Sequence, residues 1–277
     1  MYKASVIVPT YRPKAYIYEC LDSIFAQTFH ASRFELIIVL NGCCEPYKGE
    51  ISKYIDEHAP IKENVRLVQT DTPGVSNARN IALDMAHGEN ILFVDDDDVI
   101  SPQYIESLME LASDDTIVAA RLRLFDDLTG EESYTNLTNA YDIAREEMKV
   151  RPLTLYTGRR LLSAVGGKSI PMQMIGSDRF NTGLSLGEDS VFITQLAGRI
   201  KHILIAHEDA VYNVRKRTDS ASRVPLSNKK QICMALSLAW QYTCLYLADI
   251  RHNDLKFFAS RIAASLLKAV HKKYRTV

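Results

Sequence analysis

Short apolar segments alternate with longer segments of helical spacing between residues 4 and 94, and this alternation limits the possible folds more than any other feature. Apolar or β-branched runs of strand length occur at 4–9, 35–40, 65–69 and 91–94. Between them lie segments with apolar residues three and four positions apart, as in amphipathic helices: 14–28, 48–58 and 75–87. Strands that alternate with helices in this way form βαβ units. The sequence therefore predicts an α/β fold with a mostly parallel, Rossmann-like central sheet flanked by helices.

The pattern is less regular after Pro102. The later predicted elements are a helix to about 111, a strand at 116–124, a helix at 188–197, and helices at 227–249 and 254–274. Residues 126–156 give no clear assignment, and the glycine-dotted stretch 166–188 is predicted as a loop. The last two helices predict a C-terminal helical extension.

Polar residues follow three of the predicted strands at the point where each strand ends. They are Thr10-Tyr11-Arg12, Asn41-Gly42 and the four consecutive aspartates Asp95 to Asp98. Ligands of open α/β sheets bind at the carboxyl ends of the strands. We therefore expect these three clusters to meet in one crevice.

The four aspartates require an explanation, because adjacent carboxylates repel one another. In a crevice they would need a cation, and hard oxygen ligands suit Mg²⁺ or Mn²⁺, which can bridge to a diphosphate. A solvated acidic loop is the alternative interpretation.

Two other polar clusters also allow both a functional and a purely structural interpretation. Gly74 precedes a predicted helix whose free N–H groups suit an anion, and Arg79 lies in its second turn. That segment also fits an ordinary helix start with a surface arginine. Glu188 and Asp189 open a later helix, where they either complement the helix dipole or include a general base.

Taken together, the clusters have the order and spacing of a known family. The segments concerned are SVIVPTYRP (5–13), LDSIFAQTF (21–29), ELIIVLNG (35–42), GVSNARNIAL (74–83), VDDDD (94–98) and GEDSVF (187–192). The chain resembles the family 2 glycosyltransferases, which have the GT-A fold, from residue 5 to about 222. The resemblance implies a catalytic domain at 1–222, with a nucleotide-sugar half at 1–98 and an acceptor half at 99–222. Residues 223–277 form the extension.

The resemblance also implies roles for individual residues. Thr10 and Tyr11 match the nucleoside pocket, with Tyr11 against the base, and Arg79 matches an arginine that reaches the base or diphosphate. Asp95 and Asp97 match the two acids of the DxD motif. By this match Asp97 is the metal ligand, Asp95 lies nearer the ribose and also serves the metal, and Asp96 belongs to the same donor site. Asp189 matches the catalytic base and Glu188 shapes the acceptor site beside it. Arg217 is a weaker match to a group near the leaving diphosphate.

One position departs from the family pattern. The family usually has two aspartates after the second strand, where this chain has Leu40-Asn41. The second aspartate normally accepts the N3 proton of uracil, and Asn41 can accept through its carbonyl oxygen. A UDP-sugar donor is therefore predicted, with another base as the alternative.

The predicted activity is an inverting, Mn²⁺- or Mg²⁺-dependent hexosyl- or N-acetylhexosaminyltransferase. Its donor is a nucleotide-diphospho-sugar and its acceptor a glycan or lipid-linked glycan hydroxyl in surface polysaccharide assembly. A sugar-phosphate nucleotidyltransferase is one alternative, although such enzymes usually carry a glycine-rich loop after the first strand and residues 10–13 contain no glycine. A non-catalytic protein that binds sugar nucleotides is the other.

Charge and cysteine content bear on partners and location. The net charge of −1 predicts no nucleic-acid partner, while residues 213–277 carry 13 lysines and arginines against three aspartates. Five cysteines without a CxxC pair, and no signal-peptide pattern, predict a cytoplasmic protein.

The last predicted helix has a stripe of apolar residues and a separate group of basic residues. The stripe comprises Leu255, Phe258, Ile262, Leu266 and Ala269; the basic group comprises Arg261, Lys268, Lys272 and Arg275. This pattern is typical of a helix that lies in an anionic membrane surface. It equally fits a helix that packs on the catalytic domain or on a second subunit of a homo-oligomer.

Overall fold

The computed structural model describes residues 2–133, 135, 138–217 and 227–270, with side chains described up to 267. The strands, numbered along the chain, are β1 Ala4–Thr10, β2 Phe34–Asn41, β3 Val65–Thr70, β4 Asn90–Phe93, β5 Val99–Ile100, β6 Thr116–Ala119, β7 Arg121–Asp126, β8 Glu132–Ser133, β9 Lys168–Pro171, β10 His202–Ile205 and β11 Val211–Lys216. The helices are α1 Tyr16–Phe25, α2 Tyr47–His58, α3 Val75–Met85, α4 Tyr104–Glu110, α5 Asn139–Met148, α6 Met172–Ile175, α7 Glu188–Gln195, α8 Asn228–Ala248 and α9 Leu255–Val270.

A seven-stranded sheet in the order β10-β6-β9-β4-β1-β2-β3 forms the centre of the molecule. Its strands run parallel except β9, which is antiparallel to both neighbours. Every residue of β1 and β2 is buried, because helices cover both faces of the sheet. A smaller sheet, β5-β11-β7-β8, lies beyond the carboxyl end of β4.

The strand predicted at 116–124 is two strands in two different sheets. The break falls at Ala120, whose N–H donates to Gly167 O, while the N–H of Arg121 donates to Ala210 O. One apolar run therefore supplies β6 to the large sheet and β7 to the small one. Periodicity alone does not reveal this change of sheet.

The segment predicted as a loop at 166–188 contains β9 and α6, so that prediction was wrong in part. Strand β9 has four residues and carries a lysine, which leaves too little apolar pattern to identify it. The unassigned stretch 126–156 contains α5, and β10 and β11 were missed as well.

Gly88 directly follows the helix predicted at 75–87, but it does not cap α3. Helix α3 ends at Met85, and a Cβ atom on Gly88 would lie 2.4 Å from backbone atoms of both Ala4 and Ser5. A glycine stands here because β1 approaches the chain closely.

Helices α8 and α9 pack on the catalytic core, where they bury Tyr242, Phe257 and Phe258 in the same cluster as the central strands. The stripe predicted for α9 packs on the catalytic core in part, because Phe258 is buried in the core cluster and Ile262 packs against it, whereas Leu255 is exposed. The predicted basic group was wrong at Arg261, which is buried rather than part of a basic surface. The side chains of Lys268 and Ala269, together with Lys272 and Arg275, lie outside the described residues. In the part of the chain that the structure describes, none of the helices has the length and apolar character to cross a membrane.

Candidate active site

The polar ends of β1 and β2 lie together, as the parallel sheet requires. Asn41 donates to Thr10 O (2.7 Å) and accepts from the N–H of Gly74 (2.9 Å), so it joins β1, β2 and the start of α3. The Thr10 hydroxyl donates to the Asp96 carboxylate and thereby reaches the aspartate loop. Tyr11 is half-exposed at the rim of the crevice, with Arg12 over its ring. Its ring is accessible to a planar ligand.

The predicted contact of the Asn41 amide with a nucleotide base stays a prediction. The Asn41 side chain is buried, with the NH₂ group and the carbonyl oxygen both bound to neighbouring backbone. The amide stabilises the local loop arrangement, which the sequence did not predict.

The aspartate loop, residues 95–98, turns sharply after β4, with the N–H of Asp98 donating to Asp95 O. Burial raises the pKa of Asp96 to about 7, although the hydrogen bond from Thr10 opposes the shift. Burial, and next the charge of Asp95, also raise the pKa of Asp97. Carboxylates crowded in this way favour a nearby positive charge.

Two arginines supply positive charge to this loop. Arg215 lies in β11, and Arg217 follows the strand directly. Arg215 donates from its backbone to Asp98 Oδ1 and from Nε to Asp97 O, both at 2.9 Å. Its remaining nitrogens bind Asp127 and Glu19. Arg217 Nε lies 2.8 Å from Asp97 Oδ2. Arg217 was predicted from the sequence and Arg215 was missed. The available signal was the alternation of the two arginines along a strand.

Arg79 joins the aspartate loop to the start of α7. Its Nη2 donates to Asp95 Oδ1 at 2.9 Å and its Nη1 to Asp189 Oδ1 at 2.7 Å, while Glu188 Oε1 lies 3.6 Å from Nη1. Burial alone would lower its pKa, but the negative charges of Asp189 and Asp95 outweigh burial and raise it. The guanidinium is buried on these carboxylates, and its predicted contact with a base or diphosphate stays a prediction.

Helix α7 begins after Gly187, which has a left-handed φ of 83° and lies against Leu238 of α8. Asp189 is held through both oxygens, because Oδ2 also accepts from the N–H of Val165 at 3.2 Å. Burial, then the charge of Asp189, raise the pKa of the neighbouring Glu188. The Asp189 carboxylate is therefore fixed in orientation within the crevice.

A second layer of residues supports α7 and the segment beside it. Tyr242 of α8 donates to Ser190 Oγ at 2.8 Å. Arg261 of α9 donates to Leu162 O at 2.7 Å and to Ser163 Oγ at 3.0 Å, just before Val165. Lys168 lies buried behind Asp189, and burial lowers its pKa to about 7. None of these was predicted, because they reach the crevice from distant parts of the chain.

The donor set suits a hard divalent cation only in part. Asp95 and Asp97 provide carboxylate oxygens, and Mg²⁺ or Mn²⁺ commonly takes one or two carboxylates, waters and substrate phosphates. Among the described residues, no group of three or more His, Cys, Asp and Glu side chains is arranged to hold a metal. The two aspartates therefore fit a site that a bound diphosphate completes. Residues 218–226, which follow Arg217 in the sequence, lie outside the described residues.

A family model and the most similar curated proteins point to the same family. The model described as glycosyl transferase family 2 matches residues 5–163. Glycosyltransferase GlyA of Streptococcus pneumoniae is 28% identical over 234 residues, which are 80% of this chain and 32% of GlyA. The minor teichoic acid biosynthesis protein GgaB of Bacillus subtilis is 27% identical over 238 residues, 82% of this chain and 25% of GgaB. The chain thus spans about a third or less of the length of these relatives.

Solved structures share the fold across nearly the whole chain. Residues 1–349 of Staphylococcus aureus TarS in complex with UDP-GlcNAc match with a TM-score of 0.67 and 21% identity, over 98% of this chain and 82% of that one. A Pyrobaculum calidifontis mannosyltransferase in complex with GDP-Man and Mn²⁺ matches with a TM-score of 0.59 and 16% identity, over 99% and 82%. The predicted α/β fold is confirmed.

Proposed function

Because the chain belongs to glycosyl transferase family 2, we propose that it transfers a sugar, with inversion, from a nucleotide-diphosphate donor to a hydroxyl of a glycan or lipid-linked glycan. The observation that carries the proposal is the Arg79 bridge. One buried guanidinium binds Asp95 of the aspartate loop and Asp189 at the start of α7. The candidate donor and acceptor groups therefore share one crevice at the carboxyl edge of the sheet.

The donor in this proposal is a UDP-sugar. TarS, which shares the fold, was crystallised with UDP-GlcNAc, and the rim position of Tyr11 suits stacking on a base. The Asn41 amide is buried, and both of its polar groups are bound to backbone. It therefore has less hydrogen-bonding capacity available to a base than an exposed side chain would have. A GDP-sugar, as in the mannosyltransferase complex, is the second candidate.

Asp97 and Asp95 are the residues that would hold Mn²⁺ or Mg²⁺. When bound, such a metal neutralises charge on the departing diphosphate. Arg217 lies beside Asp97 and adds a second positive charge in the same place. Thr10 and Asp96 join the donor site to β1 through their hydrogen bond.

Asp189 takes the proton of the acceptor hydroxyl as that oxygen attacks the anomeric carbon. The two hydrogen bonds from Arg79 and Val165 orient its carboxylate for this role. Glu188, beside it, contributes to the acceptor side of the crevice. A single displacement from the opposite face inverts the configuration, whereas retention through a covalent intermediate needs a carboxylate nucleophile close to the sugar.

Assembly of a surface polysaccharide is the proposed setting. GgaB is described as a minor teichoic acid biosynthesis protein, and TarS as a poly(ribitol-phosphate) β-N-acetylglucosaminyltransferase. The GgaB description supports a setting in cell-surface polymer assembly, and the TarS description supports an N-acetylhexosaminyl donor. The domain division stays a proposal, with a catalytic domain at 1–222 and an extension at 223–277 whose helices share a core cluster with the sheet.

The test is a thermal-shift screen of UDP-, GDP- and dTDP-sugars with and without Mn²⁺. Binding to the folded state raises the melting temperature, by an amount that grows with ligand concentration over Kd. We expect a UDP-sugar to give the largest shift, and only with the metal. Release of pyrophosphate would instead favour a nucleotidyltransferase, and donor binding without turnover on any acceptor would favour a non-catalytic protein.

A further inference from the structure

The helical hairpin formed by α8 and α9 exposes an unusual number of large apolar side chains. Those exposed by more than a third are Ile232, Leu236, Trp240, Leu247, Ile250, Leu255, Leu266 and Leu267. Soluble monomers rarely expose a large contiguous apolar patch without a binding role. We call this set the hairpin surface.

Helix α8 presents its part of the hairpin surface as a stripe. Leu236, Trp240 and Leu247 lie on one side of the helix, at intervals of four and seven residues. The exposed Cys233, before Leu236, and Cys244, between Trp240 and Leu247, lie on the same side. The opposite side buries Ala235, Ala239 and Tyr242 against the core. The sequence from 231 to 248 contains no Asp, Glu, Lys, Arg or His. The stripe is therefore apolar and uncharged along most of the helix.

Positive charges border this uncharged stripe at both ends. Lys229 and Lys230 open α8, and Arg251 and Lys256 follow it, all of them exposed. The two intervening acids are engaged locally. Asp249 binds His252 at 2.8 Å, and Asp254 accepts from the N–H of Phe257 at 2.8 Å. The border of the hairpin surface is consequently cationic.

We propose that the hairpin surface binds an anionic lipid bilayer, with α8 lying in the plane of the interface. An apolar stripe with a tryptophan at its centre and lysines at its border matches the chemistry of that boundary. The same positive border disfavours a second copy of the chain, since two such borders would face each other. The helix would rest on the membrane surface, because no described helix is able to span it.

This surface is connected to the candidate active site through α8 itself. The inner side of α8 carries Leu238, which lies against Gly187, and Tyr242, which bonds Ser190. Binding to a bilayer would hold the start of α7 close to lipid, which suits a lipid-linked acceptor. That last consequence rests on the proposed function, whereas the lipid contact itself does not.

Trp240 provides a direct test, because it is the only tryptophan in the chain and lies in the middle of the stripe. Its emission is recorded as vesicles of phosphatidylcholine with about a third phosphatidylglycerol are added at low salt. We expect a blue shift and quenching by lipids brominated on the upper acyl chain. Vesicles of phosphatidylcholine alone should give a much smaller effect, because binding to anionic lipid has an electrostatic part.

Substitutions then separate the apolar from the electrostatic contribution to vesicle binding. Leu236→Glu should abolish the shift while keeping the reporter, and Leu128→Glu, at another exposed leucine, should leave it unchanged. Replacing both Lys229 and Lys230 by Gln should weaken partitioning on the order of tenfold. Circular dichroism and the donor thermal shift, measured on each variant, establish that the fold and the active site are intact.

Two results would overturn the proposal. One is unchanged Trp240 emission with anionic vesicles. The other is a blue shift that appears without lipid, rises with protein concentration and is lost in Leu236→Glu, which would make the surface a contact between copies of the chain. A lipid contact that fails while the donor still binds would leave the glycosyltransferase proposal standing, so the two are distinguishable.

Discussion

At the scale of single residues, the candidate site is a chain of charges in which each carboxylate has a specified partner. Asp97 faces Arg217, Asp95 and Asp189 share Arg79, and Asp98 accepts from the backbone of Arg215. Motifs in the sequence identified most of the acids, because runs such as VDDDD and GEDSVF are contiguous. They did not identify the partners of those acids, which come from positions up to 120 residues away.

The first prediction concerns the metal. Asp97→Asn should remove most of the Mn²⁺-dependent rise in melting temperature with the donor, because one carboxylate charge is lost while the volume is kept. Asp114→Asn, at an exposed acid elsewhere, is the control. An unchanged Mn²⁺ titration of Asp97→Asn, followed by electron paramagnetic resonance, would place the metal on other ligands.

A second prediction concerns the stability provided by Arg79. Arg79→Met should lower the free energy of unfolding by about 3 kcal/mol, since it leaves partly buried carboxylates without their counter-charge. Arg179→Met breaks a more exposed ion pair with Asp84 and should cost about 1 kcal/mol or less. Urea unfolding of both variants makes the comparison. An equal loss of unfolding free energy in both variants would mean that the Arg79 bridge stabilises the fold no more than an exposed ion pair does.

A third prediction concerns pH. Burial lowers the pKa of Lys168 to about 7, from 10.5 in the exposed side chain. The unfolded chain therefore binds a proton between pH 7 and 10 that the folded chain does not, and the contribution of Lys168 to stability falls as the pH is lowered through this range. Relative to Lys168→Met, the wild type should gain about 1 kcal/mol per unit as the pH rises from 7 to 9. Lys53→Met, at an exposed lysine, should show no such trend. A difference between wild type and Lys168→Met that stays constant with pH would show that Lys168 is charged in the folded protein.

At the scale of secondary structure, regular elements were predictable and short irregular ones were not. The bounds of β1, β2, β3 and α2 were predicted to within one residue at each end, because each is a clear apolar run or amphipathic segment. Strand β9 was missed because its four residues, which include a lysine, show no hydrophobic periodicity. It nevertheless completes the sheet between β4 and β6. Position in the sheet, rather than local pattern, makes that segment a strand.

The fourth prediction concerns the support that α8 gives to α7. Tyr242→Phe removes the hydrogen bond to Ser190, next to Asp189, and should cost about 1 kcal/mol of stability. Because Asp189 is positioned through α7, transfer should fall several-fold while the donor thermal shift is kept. Tyr246→Phe on the same helix is the matched control. An equal fall in transfer in both variants would remove the positioning role from Tyr242.

At the scale of the whole molecule, a single core extends from the parallel sheet to the C-terminal hairpin. The predicted extension is therefore a structural support of the site and carries an exposed apolar surface of its own. The sequence revealed the basic excess of this region, but not which side chains face solvent. Packing changed the predicted α9 pattern at Arg261, which is buried beside Phe257 instead of lying on a basic surface.

We propose that this chain catalyses an inverting displacement that needs Asp97 and Asp189. The most direct test is proton NMR of the first sugar released when UDP-GlcNAc and Mn²⁺ are incubated with the protein, with water as the acceptor. We expect the β-anomer first, recognised by its large anomeric coupling before mutarotation. Release should be absent with EDTA and in Asp97→Asn, and slower by roughly 10²–10⁴-fold in Asp189→Asn. Release of the α-anomer first, or an undiminished rate in Asp189→Asn, would contradict it.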